Sequence, residues 1–271
     1  VLLIAFELKN ANSIQVSRMS KQQTKLSAFV ICCNEEKYIE RCLNSISFAS
    51  EIIVVDSGST DKTLEICKKY TDKIFHKTWS GFVAQKSYAF EQCSNEWVLN
   101  IDADEVVSEK LKSKIIEITS EPDSNTNGYE ISRIVYYMGK FWNKGGWYPE
   151  YRLRLVKKSY TSWGGVDPHE KAITQGRIDR IIAPIYHYTY ASLADQIHSL
   201  NNHSSTAAES LYKKGKSCSL VSIFIRPIAR FLKFYFSKKG FLEGQAGLIV
   251  AVLEALYAFL KYAKLWELNR K

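Results

Sequence analysis

The pattern becomes legible at Lys25, where short apolar runs begin to alternate with segments of helical period. Residues 26–33 are a continuous apolar stretch with polar neighbours on both sides, as expected of a strand buried on both faces. Residues 35–47 space Ile39, Leu43 and Ile46 as a helix would. The alternation repeats as strand 51–55, turn Asp56-Ser57-Gly58-Ser59-Thr60-Asp61, helix 62–70, short strand 73–76, helix 83–92, strand 97–101 and helix 108–118. Such alternation predicts a doubly wound, mainly parallel sheet, whose ligands gather beyond the carboxyl ends of the strands. Three polar clusters fall at those ends: Asn34-Glu35-Glu36, residues 56–61 and residues 102–105. They are expected to converge on one pocket.

After a run of turn formers at 121–128 the period changes. Strands are predicted at 129–137 and 151–157, flanking an aromatic, glycine-rich segment at 141–149. Residues 163–170 read as a loop, 181–187 as a closing strand, and 192–214 and 220–271 as helical. Residues 1–6 are apolar, but Glu7 follows them without a clear cleavage site, which makes a poor signal peptide. With Met19 just ahead of the first motif, residues 1–24 read as a leader with no structure of its own expected.

Composition narrows the class. A chain of 271 residues, 46% hydrophobic and 24% charged, has the makings of a packed α/β domain with a helical appendage rather than of a disordered chain. The formal charge of +9 points to an anionic partner without choosing among nucleic acid, anionic lipid and phosphorylated substrates. Its distribution is more informative: Arg226, Arg230, Lys233, Lys238 and Lys239 are interleaved with Phe231, Phe234, Tyr235, Phe236 and Phe241. Cations mixed with large rings suit an anionic membrane surface better than a nucleic-acid groove. The apolar run 247–260, interrupted by Glu254, is shorter than the roughly twenty residues needed to span a bilayer. An interfacial role is therefore favoured over packing on the main domain. The six cysteines show no metal-binding spacing and read as reduced core residues of a cytosolic protein, the adjacent Cys32 and Cys33 among them.

Asp102-Ala103-Asp104 is the sharpest chemical feature. Two carboxylates separated by one residue after a buried strand can share Mg2+ or Mn2+ with a diphosphate, since hard cations prefer oxygen ligands. The competing reading is an acidic helix start, with Asp104 or Ser108 as the cap. Asp56 directly follows an apolar strand, where a carboxylate needs a partner, and a base imide or ribose hydroxyl would serve; the competing reading is a plain strand-to-helix turn with Asp61 capping the helix. The aromatics Tyr136, Tyr137, Phe141, Trp142, Trp147 and Tyr148 suit either a sugar-stacking wall or a core.

The strings at 26–36, 51–61 and 97–105 together resemble the donor half of family-two glycosyltransferases. Trp79-Ser80-Gly81-Phe82 with Gln85-Lys86, Val166-Asp167-Pro168-His169-Glu170, and Lys239-Gly240-Phe241-Leu242-Glu243-Gly244 resemble the bacterial lipopolysaccharide-core glucosyltransferases within that family. The chain departs from the pattern at Ser87, where asparagine is common, and at Glu243, where aspartate is commoner. The resemblance implies a GT-A type α/β fold, a doubly wound mainly parallel sheet with a C-terminal helical extension. It implies a nucleotide-sugar site in 25–125, an acceptor-side half with a catalytic loop in 126–191, and a membrane-associated extension in 192–271. Asp56 would contact the base, residues near Asn34 and Glu35 would line its pocket, Gln85 and Lys86 would lie near the donor, and Asp102 and Asp104 would take the ribose and the metal-bound diphosphate. Glu170 is the first choice of catalytic base, ahead of Asp167 and His169; His169 or His187 is the alternative as a further metal ligand.

The function expected is a metal-dependent, inverting transfer of a hexose from a UDP-sugar, UDP-glucose in the first place, to a lipid-linked saccharide such as lipopolysaccharide core. The expected location is cytoplasmic and peripheral, on the inner face of the cytoplasmic membrane, with no nucleic-acid partner. Two alternatives remain: a non-catalytic sugar- or lipid-binding protein on the same fold, and a nucleotidyltransferase. The latter usually begins with a glycine-rich phosphate loop, and none follows residues 26–33.

Overall fold

The computed structural model describes residues 24–120, 125–142, 144, 148–167, 169–190 and 192–270, without the side chains of Thr24, Val166 and His169. The leader, Pro168 and Trp147 lie outside the described residues. By compactness the chain divides into Val1–Ile131 with Arg152–Ile185, and Ser132–Tyr151 with Tyr186–Lys271.

The first unit is built on strands β1 (Thr24–Cys32), β2 (Ala49–Asp56), β3 (Ile74–His76) and β4 (Trp97–Asn100). They pair in parallel in the order β3-β2-β1-β4, the parallel sheet that the alternation predicts. Their apolar runs are continuous because both faces are covered. Leu26, Ala28 and Val30 of β1, Ile52 and Val54 of β2, and Trp97 and Leu99 of β4 face one core. The intervening Phe29, Ile53, Val55 and Val98 face another. Helices α1 (Ile39–Ser45) and α4 (Glu109–Ser120) supply Leu43, Ile46, Leu111 and Ile115 to the vicinity of the first core, α1 through its closing turn. Helix α3 (Phe82–Glu91) brings Ala89 and Phe90 to the second. Helix α2 is only Thr63–Cys67.

Beyond β4 the sheet becomes mixed. It continues through β8 (Glu150–Lys157), β6 (Thr126–Tyr137), β11 (Arg177–His187) and β5 (Glu105–Val107), with β8 antiparallel to β4. Strand β5 and the short β7 (Lys140–Trp142), which pairs with β6, are not foreseen by the pattern because three residues carry no measurable period. The loop predicted at 163–170 is instead an antiparallel hairpin of β9 (Thr161–Val166) and β10 (His169–Thr174). Its strands alternate poorly, with Gly164 and Gly165 together in β9, which hides them from a period-two reading.

The second unit contains α5 (Leu193–Lys213), α6 (Leu220–Leu232) and α7 (Gly244–Leu268). Its core joins Val135, Tyr137 and Trp142 to Phe234, Val250 and Ala251. Tyr137 and Trp142 are thus core residues rather than a sugar wall, whereas Tyr136 and Phe141 group with Tyr186 and Tyr188. The helical run predicted at 220–271 is broken by a π turn at Lys233–Ser237 and a 3-10 turn at Gly240–Glu243. Helix α7 has 25 residues, so the apolar segment is longer than the 14-residue run in the sequence indicates, and by length and composition alone it is long enough to cross a membrane. Cys32 is buried as expected, but Cys33 is exposed, because the strand ends between them.

Gly247 at the start of α7 approaches the chain closely: a Cβ there would lie 2.0 Å from the Gly240 carbonyl oxygen and 3.1 Å from Glu243 Cβ. Backbone, rather than a flexible side-chain tip, would have to move. Gly247→Ala is expected to cost about 1–3 kcal/mol, the usual penalty of overpacking, and to lower the thermal midpoint followed by circular dichroism. An unchanged midpoint would show that the turn at Gly240 yields freely.

Candidate active site

Parallel pairing sets Cys32 level with Asp56, and Phe29 level with Asn100, so the carboxyl ends of β1, β2 and β4 open at one edge. The first two loops there are stitched together. Asn34, in the left-handed region at φ 57, receives Thr60 N–H on its side-chain oxygen at 2.8 Å and donates its own N–H to Ser59 Oγ at 2.9 Å. Glu35 N–H donates to Thr63 Oγ1 at 2.7 Å, and Glu36 N–H to Asp61 Oδ2 at 3.1 Å. The helix predicted from residue 35 begins only at Ile39, preceded by a turn in which the Glu35 carbonyl accepts from Tyr38 and Ile39 N–H at 2.9 Å each.

Asp56 is buried, and its own turn satisfies it: Gly58 N–H donates to Oδ2 at 2.8 Å, and both the N–H and hydroxyl of Ser59 donate to the carboxylate. The need for an external partner inferred from the sequence is therefore met internally. Gln85 is likewise buried, its amide donating to Ser57 Oγ and the Lys77 carbonyl at 2.8 Å each, while its Oε1 has no partner.

Asp102 lies at the centre of a chain of charges. Lys86, on α3 and almost fully buried, donates to Asp102 Oδ1 at 2.9 Å and to Glu170 Oε1 at 2.8 Å. Arg154 donates through Nη2 to Asp102 Oδ2 and to Glu105 Oε1, both at 2.6 Å, and through Nη1 to Asn100 Oδ1 at 2.7 Å. Glu105 in turn accepts from the Asp102 N–H at 3.0 Å. Burial alone would raise the Asp102 carboxyl, but the guanidinium of Arg154 and the ammonium of Lys86 outweigh it and hold that carboxyl well below the ordinary range. The same carboxylates push the Arg154 guanidinium up, against its own burial.

Sequence reasoning missed Arg154. The antiparallel register pairs Leu99 with Leu155, so one step further sets Arg154 beside Asn100, at the end of β4. The available signal was a cation placed within the apolar run that continues through Leu155 and Val156. Asp167 also changes role. Its Oδ1 accepts from Val83 N–H at 3.0 Å, at the start of α3, where the N-cap residue Gly81 has no side chain. A Cβ on Gly81 would lie 1.9 Å from the Asp167 carboxylate, so glycine is required there. Asp167 thus caps α3 from a distant hairpin. His187 bonds Thr189 Oγ1 at 2.9 Å and belongs to the second unit; the His169 side chain lies outside the described residues.

Among the described residues no three His, Cys, Asp or Glu side chains converge as a metal set. The donor set nevertheless fits Mg2+ or Mn2+, which commonly take one or two carboxylates and complete their shell with water and phosphate oxygens. Both Asp102 oxygens meet cationic side chains, and Asp104 stands two residues on in the same turn. The field there is negative: burial first, and then Asp104, Asp61 and Asp102, push the Glu35 carboxyl up to about 7.

Comparison with known proteins was consistent with this geometry. The model for Glycosyl transferase family 2 matches residues 27–176. An uncharacterized glycosyltransferase of Rickettsia typhi, RT0209, is 34% identical over 260 residues, covering 91% of this chain and 88% of its own. The lipopolysaccharide core biosynthesis glycosyltransferase LpsC of Rhizobium meliloti is 31% identical over 249 residues, covering 89% and 92%. Among solved structures, the mannosyltransferase PcManGT of Pyrobaculum calidifontis, in complex with GDP-Man and Mn2+, shares the fold with a TM-score of 0.51 at 14% identity, over 87% of this chain and 88% of its own.

Two substitutions test the electrostatics. Arg154→Met leaves Asp102 and Glu105 without their buried counter-charge and is expected to destabilise the protein by about 3–5 kcal/mol; urea unfolding measures it, and a loss below 1 kcal/mol, the scale of an exposed pair, would mean that water reaches these carboxylates freely. For Glu35 the folded value, about 7, lies above the ordinary 4.5. Its contribution is therefore fully present below the ordinary value and lost as pH rises through about 7. Glu35→Gln should match the parent in acid and exceed it in stability on the alkaline side. Parallel stability curves across that window would refute the assignment.

Proposed function

The chain belongs to glycosyl transferase family 2, and from that premise we propose that it moves a hexose from UDP-glucose to a hydroxyl of a lipid-linked saccharide of the lipopolysaccharide-core kind, with inversion at the anomeric carbon. The observation that carries the reading is the convergence of Asp102 and Glu170, 68 residues apart in sequence, on the single buried ammonium of Lys86. That contact unites the turn after β4 with the β10 hairpin, the two places from which the donor and the attacking hydroxyl would be served. The name of the Rhizobium relative, whose chain matches almost end to end, supports the choice of acceptor.

In this reading residues 25–125 hold the donor, 126–191 the acceptor, and 192–271 the membrane. Asn34 and Glu35 with Asp56 border the nucleotide side; Asp56 and Asn34 act chiefly by fixing the two loops, and Gln85 by tying α3 to the turn after β2. Asp104, backed by Asp102, would hold Mg2+ or Mn2+ against the diphosphate. The bound cation supplies positive charge where the leaving group gathers negative charge. Lys86 adds a fixed positive charge that costs no reorganisation during reaction. Glu170, which accepts from Lys86, is assigned as the base that removes the proton of the attacking hydroxyl. Asp167, which caps α3, stays second for that role. A lipid-linked acceptor places the enzyme at the inner face of the cytoplasmic membrane.

The test is transfer itself: a panel of nucleotide-sugars with a core-oligosaccharide lipid, following free nucleotide diphosphate and the anomeric configuration of the product. Glu170→Gln is expected to lower kcat by roughly 10²–10⁴ with little change in the donor KM. Asp104→Ala is expected to lose the part of the rate that depends on added divalent cation while the protein stays folded. Undiminished kcat in folded Glu170→Gln would remove it as the base, and full cation-dependent rate in Asp104→Ala would remove the metal role.

A further inference from the structure

Helix α6 is mounted the wrong way round for a water-facing helix. Val221, Phe224, Ile225, Ile228 and Leu232 fall within a stripe about 100° wide at 3.6 residues per turn, and every one of them is exposed, Phe224 by 63% and Ile228 by 60%. The opposite side meets α7: Ile223 is buried, and the exposed Arg226 and Arg230 reach across, Arg226 donating to the Tyr262 hydroxyl at 2.7 Å and Arg230 pairing with Glu254. Polar contacts thus fasten the helix to its own unit and leave its apolar stripe outward. Of the rings expected from the sequence to meet a membrane, Phe234 is buried, and Phe236 is exposed.

Charge identifies what covers the stripe. From residue 213 to 242 the chain has eight Lys and Arg and no Asp or Glu. Lys213, Lys214 and Lys216 are exposed before the helix, and Lys233, Lys238 and Lys239 are exposed after it. A second copy would set this segment against its like, whereas anionic headgroups complement it. With 13 residues, α6 is about 20 Å long and too short to span a bilayer; the wide stripe with cations at both ends suits a helix lying in the interface.

We propose that the outward stripe of α6 is a docking surface for an anionic lipid bilayer, with the apolar side chains at the acyl boundary and the two lysine groups on headgroup phosphates. The proposal rests on the lipid-linked acceptor for its purpose, while the surface itself is argued from the second unit alone.

The test is co-sedimentation of the full chain with vesicles of phosphatidylcholine, with and without phosphatidylglycerol, across a salt series. Binding is expected only with phosphatidylglycerol present and should weaken as salt rises. The double variant Phe224→Ser, Ile228→Ser should bind at least about ten-fold more weakly, since two exposed apolar side chains no longer leave water, with the thermal midpoint and release of UDP from the donor unchanged. Lys238→Glu with Lys239→Glu should remove most of the salt-sensitive part. Unchanged binding by the Ser variant, equal binding to neutral vesicles, or a self-association that the Ser variant abolishes in the absence of vesicle binding would each overturn the proposal. Vesicle binding that behaves as expected, in a protein that glycosylates no lipid-linked saccharide, would reject the acceptor and leave the docking surface standing.

Discussion

Five side chains, Glu170, Lys86, Asp102, Arg154 and Glu105, form one line of alternating charge in which the two cations are nearly buried. A buried ammonium or guanidinium costs several kcal/mol unless its partners are in place, so the line is tolerable only when it is complete. Completing it requires α3, the turn after β4, β5, β8 and β10 to reach their registers together. The edge of the sheet is organised around that requirement, and the loops after β1 and β2 are braced separately by backbone bonds to Asn34, Thr63 and Asp61. The outcome is a site whose negative groups are partly neutralised at Asp102 and concentrated towards Glu35 and Asp104.

The parallel half of the sheet was legible because strands buried on both faces leave an unmistakable signature: unbroken apolar runs followed by polar turns. The same runs set the positions of Asp56 and Asp102 at the strand ends. What the pattern could not supply was pairing between strands distant in sequence. Arg154 reaches Asn100 only through an antiparallel register, and Glu170 reaches Lys86 only because residues 161–174 fold back as a hairpin. Both depend on long-range geometry. That Asp56 needs a partner was legible; that its own turn supplies one was not, since Gly58 and Ser59 two and three residues on bend back to satisfy it.

The second unit illustrates the limit of reading amphipathicity from sequence. Its mix of cations and rings was visible, but which side chains face outward depends on what α7 offers to α6. The exposed arginines of α6 reach Tyr257, Tyr262 and Glu254 of α7, so the side of α6 that carries them, and not its apolar stripe, is the one that meets α7. Helix polarity relative to the core is thus decided by the partner helix.

Asp167 and Glu170 both grip α3, at Val83 and at Lys86, and each pair spans the same 84 positions of chain. The hairpin and the helix therefore advance in step, like two rails with matched ties. A residue inserted or deleted between 167 and 170 would let only one tie close, detaching either the helix cap or the base. The same holds for the matching interval from Val83 to Lys86, whereas insertions elsewhere in the 84 residues face no such rule, provided the two ends still meet. Length variation among relatives should accordingly be excluded from both three-residue intervals even where the surrounding loops differ freely.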